Sequence, residues 1–191
     1  MQLNSEPAAE LFLNPRNVGD AAQPSFIGRS SSFNCGAALR ISLQVDRSQR
    51  IIEAKFKAAG CSALVASASL LTDQVIGKTT GEAAELGQQP GAIENLLCGF
   101  AEDRIDCAAL VCEALLSAIA RYSDTVRNEW NGDEALVCTC FGVSERTIER
   151  EIQENHLSTI AEVTRACNAG AGCRSCYPLI EDIMDDYWRT K

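Results

Sequence analysis

Histidine is nearly absent from this chain of 191 residues: there is one, His156. That excludes metal or catalytic centres built from several imidazoles. Long apolar runs are missing too, none approaching the ~18–20 residues that a membrane-crossing helix needs. The first residues show no basic stretch followed by an apolar core, so no secretory signal is expected and the protein is expected to be cytoplasmic. Positive charge is scarce: 17 Lys and Arg stand against 26 Asp and Glu, for a net charge of −9. A phosphate backbone needs a basic face, so nucleic acid is not an expected partner. The imbalance is steeper toward the end, with 10 basic and 13 acidic side chains in residues 1–123 but 7 and 13 in residues 124–191. Internal repeats, low-complexity tracts, nucleotide-binding glycine loops, catalytic triads and paired-carboxylate sites are not found.

Cysteine, in contrast, is abundant, with ten residues. In a cytoplasmic chain that number points to metal or redox chemistry and not to a disulfide framework. Four of the ten form two tight pairs, Cys138-Thr139-Cys140 and Cys173-Arg174-Ser175-Cys176. Gly142 follows the first pair, and Gly170 and Gly172 precede the second. Glycine-rich turns can aim backbone N–H groups at an anionic centre, and Arg146 and Arg174 can offset charge nearby. Four thiolates hold iron–sulfur or zinc. Paired zinc ligands usually have two to four residues between them, so the one-residue gap favours iron–sulfur and leaves zinc as the alternative.

The remaining pattern predicts an α+β chain. Residues 1–25 read as irregular. Leu39, Ile41, Leu43 and Val45 alternate with polar residues, as do Ile52, Ala54 and Phe56, which predicts two antiparallel strands joined by a turn at 46–50. Residues 62–76 read as a helix stopped by Gly77. Thr79 and Glu82 form a capping box for a short helix to about Leu86. Gly87 to Gly91 reads as a loop before a helical turn from Ala92. A long amphipathic helix is expected from Ile105 to about Tyr122. The polar residues 124–134 read as a linker between a domain at 1–123 and a smaller one at 135–191. The second domain is expected to be all-helical, with helices capped by Ser144, by Thr159 with Glu162, and opened by Tyr177-Pro178.

Several stretches resemble a known family. Ala135–Phe141, Leu157–Thr164 and Gly170–Cys176 resemble the central domain of NifU, which is similar to bacterioferritin-associated ferredoxin. Phe12–Gly19, Cys35-Gly36, Gly60–Ala63, Gly77–Thr79 and Ala101–Asp103 resemble the N-terminal half of NifU, which is similar to IscU. The two resemblances cover nearly the whole chain, and the third NifU module, with its own Cys-x-x-Cys, is not expected. The resemblance implies an IscU-like domain, a small antiparallel sheet packed with helices, followed by a small all-helical domain. It implies a permanent [2Fe-2S] cluster on Cys138, Cys140, Cys173 and Cys176, and a transient cluster on Cys35, Cys61 and Cys98. It implies a non-enzymatic scaffold for iron–sulfur cluster assembly and transfer, of the kind that serves nitrogen fixation. The implied partners are a cysteine desulfurase of the NifS or IscS type, recipient apo iron–sulfur proteins and a ferredoxin, with the scaffold itself a homodimer. The alternative is a [2Fe-2S] electron-transfer or redox-sensing protein whose first domain is a degenerate interaction module.

The first domain departs from the family's pattern. Cys35-Gly36-Ala37 stands where the family has Cys-Gly-Asp, an aspartate that helps keep the cluster labile. Counted back from Ala101-Glu102-Asp103, the family's His-Cys pair falls near Leu96–Cys98, and its histidine is missing. The family's chaperone-binding Leu-Pro-Pro-x-Lys reads Gln88-Gln89-Pro90-Gly91-Ala92. Cys112 and Cys167 read as buried core residues and His156 as a solvated helix end. Cys107 is left open, facing the site only as a replacement ligand.

Overall fold

In a computed structural model the chain is described for residues 6–23, 25–46, 48–97, 106–130, 132 and 134–189. Its first part is built on the sheet that the alternation predicts. Strands β1 (Phe26–Ser31), β2 (Ala38–Val45) and β3 (Ile51–Ala59) lie antiparallel in the order β1-β2-β3. β1 is an addition to the expected hairpin. The register sets Gly28, Ile41 and Phe56 in one row and Phe26, Leu43 and Ala54 in another. Ile41, Leu43, Ala54 and Phe56 are buried, so one face is apolar and meets helices.

Helix α1 (Glu6–Leu13) lies in a stretch expected to be irregular, and packs on α2 (Ser62–Val75). The segment Asn14–Gly19 is a staple. Phe56 N–H donates to Asn17 O and Gly19 N–H to Phe56 O, both at 2.9 Å, which adds Val18 to the free edge of β3. Arg16 N–H donates to Ser69 Oγ at 2.8 Å and its guanidinium pairs with Asp73, tying the same segment to α2. Asn17 takes a φ of +60°, a conformation that asparagine tolerates better than most residues.

Helix α3 (Thr80–Gly87) starts at the expected capping box of Thr79 and Glu82. Helix α4 (Pro90–Leu96) begins at its proline, two residues before the expected start, because proline suits a first helical position. Helix α5 (Asp106–Glu129) is 24 residues long and runs along the sheet, with Ala108, Val111, Leu115, Ala118 and Ile119 on its buried stripe. It outlasts the apolar pattern by seven residues. Ser123–Glu129 continue the helix with Ser123 buried, Val126 half-buried and the charged side exposed, carrying an Arg127–Asp124 ion pair and Thr125 Oγ donating to Arg121 O at 3.0 Å. The first part of the expected linker is therefore helical.

The second part is mostly helical rather than wholly so. A two-stranded ribbon, β4 (Leu136–Cys138) with β5 (Val143–Ser144), opens it. Helices α6 (Glu145–Asn155), α7 (Ile160–Cys167) and α8 (Tyr177–Arg189) follow, at the caps the sequence marks. Phe141, Val143, Ile148, Ile152, Val163 and Ile180 form its core.

β1 packs on α5 at backbone distance. A Cβ at Gly28 would strike the Ala114 carbonyl and the Ala118 amide, neither of which can move without breaking the helix. Gly28→Val is expected to lower stability by about 3 kcal/mol or more through overpacking, read as a shift in the urea midpoint. A change within the scatter of surface substitutions would show that β1 does not approach α5 this closely.

Candidate functional site

At one end of the sheet the chain gathers thiols. The loop from β1 to β2 carries Cys35, the residue before α2 is Cys61, and the first turn of α5 supplies Asp106 and Cys107. Cys35, Cys61, Asp106 and Cys107 line one cavity with Ser32, Asn34, Ala37, Gly60 and Leu110. The Cys61 and Cys107 sulfurs stand 3.4 Å apart. Tetrahedral thiolates about 2.3 Å from a metal stand roughly 3.7 Å apart, so this pair is close to shared-metal spacing. Cys35 sits exposed on the rim, beside the fully exposed Phe33. Gly36 follows at a φ of +68°, a left-handed conformation that glycine adopts at no steric cost, with open space where a side chain would be. Two helices, α2 and α5, begin at the cavity, and their partial positive ends favour an anionic occupant.

Of the three residues expected in this site, the structure brings Cys35 and Cys61 to one cavity. Cys98 lies outside the described residues. Cys107 is in the cavity wall, and so is Asp106, which sequence reasoning does not single out. A signal is present all the same: an acidic residue just before a long apolar periodicity marks a helix start. Ala37, in the family's aspartate position, is buried in the wall against Gly60.

The second set of thiols lies in the helical part. Cys138 ends β4, Cys140 sits in the ribbon's turn, and Cys173 and Cys176 lie in the loop before α8. They meet as two pairs. The Cys140 and Cys173 sulfurs are 3.4 Å apart, and Cys138 hydrogen-bonds Cys176. Among the described residues no group of three or more Cys, His, Asp or Glu side chains is gathered for a single ion. Four thiols in one site are the donor set of an iron–sulfur centre or of a structural zinc ion.

The glycines of this site act by what they lack. A Cβ at Gly172 would stand 3.0 Å from the Cys140 Cβ and 3.1 Å from its sulfur, so a side chain there would push the two loops apart by a few tenths of an ångström. Gly142 and Gly170 take φ of +63° and +84°, and Arg174 takes +62°. Ser175 Oγ lies 2.9 Å from the Cys173 sulfur. That hydroxyl, with backbone N–H help and the Cys140 thiol, lowers the exposed Cys173 thiol to about 7. Burial, with Cys138 beside it, pushes Cys176 up to about 11. Cys167 is buried and donates to Val163 O at 3.3 Å, and His156 is exposed at the end of α6.

Residues 3–129 match the family described as NifU-like N terminal domain. The chain belongs to the NifU family. Residues 136–186 match the BFD-like [2Fe-2S] binding domain. The nitrogen fixation protein NifU of Trichormus azollae is 35% identical over 196 residues, covering 98% of this chain and 65% of that protein. The NifU of Azospirillum brasilense is 35% identical over 184 residues, covering 95% and 59%. The chain thus spans less than two thirds of the length of these relatives. The iron–sulfur cluster assembly scaffold protein IscU 1 of Archaeoglobus fulgidus is 32% identical over 118 residues, covering 62% of this chain and 75% of that protein. Among solved structures, the putative SUF-system assembly scaffold of Fervidobacterium islandicum superposes with a TM-score of 0.53 at 22% identity. It covers 61% of this chain and 96% of that one, a likeness of fold. Among the described residues no helix is long and apolar enough to cross a membrane.

Burial also sorts the remaining thiols. Desolvation pushes both Cys112 and Cys167 up to about 11. At about pH 8 each is then roughly one part in a thousand thiolate, and the thiolate is the nucleophile. Timed iodoacetamide labelling of the metal-free chain, read by peptide mass spectrometry, is expected to modify the exposed Cys173 and Cys35 early and Cys112 and Cys167 late. Early labelling of either buried residue would contradict their packing.

Proposed function

We propose that this chain is a scaffold on which iron–sulfur clusters are assembled and from which they are passed on, and that its helical part holds a second, resident [2Fe-2S] centre. The observation that carries the reading is the cavity in which Cys35, Cys61, Cys107 and Asp106 meet at the starts of α2 and α5. Asp106-Cys107 then stands for the family's His-Cys pair, and Cys107, not Cys98, is the third thiol. The carboxylate missing at Ala37 returns on the opposite wall as Asp106. An oxygen donor among soft thiolates binds iron less firmly, which suits a cargo that must leave.

The exposed Cys35 thiolate is the natural acceptor of sulfur. It attacks the outer sulfur of a desulfurase persulfide, the donor cysteine leaves as thiolate, and the persulfide now sits on Cys35. Each transferred sulfur needs two electrons to become sulfide, which one dithiol or two one-electron reduced ferredoxins supply. Closure of the Cys35 loop on the Cys61–Cys107 pair then encloses iron and sulfide. Release to an apo-protein reverses the closure. No covalent turnover of an organic substrate is involved, so the role is that of a scaffold.

In the helical part, Cys138, Cys140, Cys173 and Cys176 would hold the resident centre. When bound, a [2Fe-2S] centre supplies reversible one-electron transfer. The chain's own contribution is positional: Gly172 admits Cys140, and Ser175 bonds the Cys173 sulfur at the exposed edge.

Reconstitution of the full chain with a cysteine desulfurase, cysteine and ferrous iron under argon tests this reading. Two clusters' worth of iron and acid-labile sulfide are expected per chain, one of them stripped readily by a chelator. Cys107→Ser is expected to remove the chelator-sensitive half, and Cys98→Ser to leave it. Full retention in Cys107→Ser, or zinc without sulfide, would overturn the assignment. Ala37→Asp places a second carboxylate in the wall and is expected to speed transfer to an apo-ferredoxin several-fold, followed by the recipient's visible spectrum; an unchanged rate would remove the oxygen-donor argument.

A further inference from the structure

We infer that an asparagine latch fixes the helical part at the pole of the sheet opposite the thiol cavity, so that the second thiol site exchanges electrons with a separate molecule and not with the cavity of its own chain. The inference rests on the proposed roles of the two thiol sites.

The latch is Asn168, the residue that ends α7 at a φ of +62°. It is polar, yet only 2% exposed. Its Oδ1 accepts from the Gly81 N–H at 3.0 Å, across 87 residues of sequence. Its Nδ2 donates to Gln49 Oε1. Gly81 lies in the first turn of α3, where backbone N–H groups have no partner within the helix. Thr79 caps Glu82 N–H, and Asn168 supplies the cap for Gly81 from the other part of the chain. Gly81 is required by the same contact, since a Cβ there would overlap Asn168 Oδ1 and crowd the Ala171 methyl. Gln49 is itself anchored, because its carbonyl accepts from Thr80 N–H at 2.9 Å. A second contact supports the first: Val126, near the end of α5, fills the space beside Gly142, where a Cβ would collide with it.

Both contacts adjoin the second thiol site. Asn168 is five residues before Cys173 and Gly142 two after Cys140. Both also lie at the wrong end of the sheet to reach the cavity. The cavity is at the end where Ala38 pairs with Ala59. Gln49 is in the turn beyond Val45 and Ile51, at the other end. Three elements measure the gap. Seven strand steps span about 23 Å. The 14 residues of α2, which start at Cys61 and end beside the latch, span about 21 Å. The α5 path from Cys107 in the cavity wall to Val126 at the second contact is about 29 Å. Electron tunnelling falls steeply with distance, so the sites are insulated from each other. The edge of the second site stays open, with Cys173, Arg174 and Ser175 exposed.

Two measurements on the full chain test this. In the first, a nitroxide is placed on Cys35, with Cys61→Ser, Cys98→Ser and Cys107→Ser to keep the label single. Its separation from the reduced, paramagnetic second centre is read by pulsed EPR in a spin-diluted sample. A single narrow distance near 25–30 Å is expected from the strand and helix rises. Asn168→Ala and Gly81→Ala are each expected to broaden it. Where the second site holds no iron, Cys173 takes a second nitroxide and the distance is read between labels, so failure of the iron–sulfur reading does not decide this one. In the second, the unlabelled chain is followed by amide hydrogen exchange. Gly81 is expected to be protected, and to exchange about tenfold faster or more in Asn168→Ala, while Ile41 and Leu43 keep their protection. A distance half as long or less, or Gly81 protection and spin distances unaffected by Asn168→Ala, would overturn the proposal.

Discussion

The packing of α5 along the full length of the three-stranded sheet is the constraint on which the rest depends. β1 can lie against the helix because Gly28 has no side chain, and Ser30 Oγ then reaches the Leu110 carbonyl at 2.7 Å. At the other end of the same contact, Phe26 meets Tyr122 edge to face at 5.2 Å. One rigid rod therefore has its first turn in the thiol cavity and its last turns against Gly142. The position of each site is set by a single helix and not by the loops that carry the thiols. Loops are the mobile elements of most folds, and in this one they are left free to close on cargo.

The two thiol sites solve different problems with the same side chain. In the helical part the thiols are already paired, and the loops between them are tightened by glycines and by a serine at the sulfur. Little has to move when a centre binds, which favours retention. At the sheet end only Cys61 and Cys107 are together, Cys35 waits on the rim, and a carboxylate replaces one soft donor. Binding there must order a loop, and release recovers that entropy. On the proposed reading, easier release at the sheet end and firmer retention in the helical part would follow from this difference in preorganisation, with the Asp106 oxygen donor adding to it. The difference does not require different ligand chemistry beyond Asp106.

The elements with their own local signals were legible in the sequence. The β2–β3 hairpin showed as clean alternation, and α3, α6 and α7 were announced by capping side chains. The four thiols of the helical part stood out because their spacing is local. β1 was not legible: Phe26–Ser31 reads Phe-Ile-Gly-Arg-Ser-Ser, with a glycine and two serines where a strand shows branched apolar residues. Its inward positions are small because α5 comes so close, so the feature that hides the strand is the one that makes it fit. α1 was hidden by its shortness. The end of α5 was misread because its last turns are solvated on most sides and carry no apolar stripe. The cavity was legible for Cys35 and Cys61, each beside an element boundary. Its third thiol was sought by counting without gaps from Ala101-Glu102-Asp103, a rule that ignores helix phase. Cys107 is one residue inside a helix whose first residue is acidic, and that boundary is a second signal the count does not use.

Tethering two sites in one chain usually raises their effective concentration for each other, but only where the linkage lets them meet. The capped Gly81 amide and the Val126–Gly142 contact forbid that meeting while the helical part is docked. The gain from fusion must then lie elsewhere. A chain with a closing cavity at one pole and an open redox edge at the other can engage two partners at once without competition. The latch is what keeps those ends distinct, because Asn168 is the side chain that joins the end of α7 to both Gly81 and Gln49.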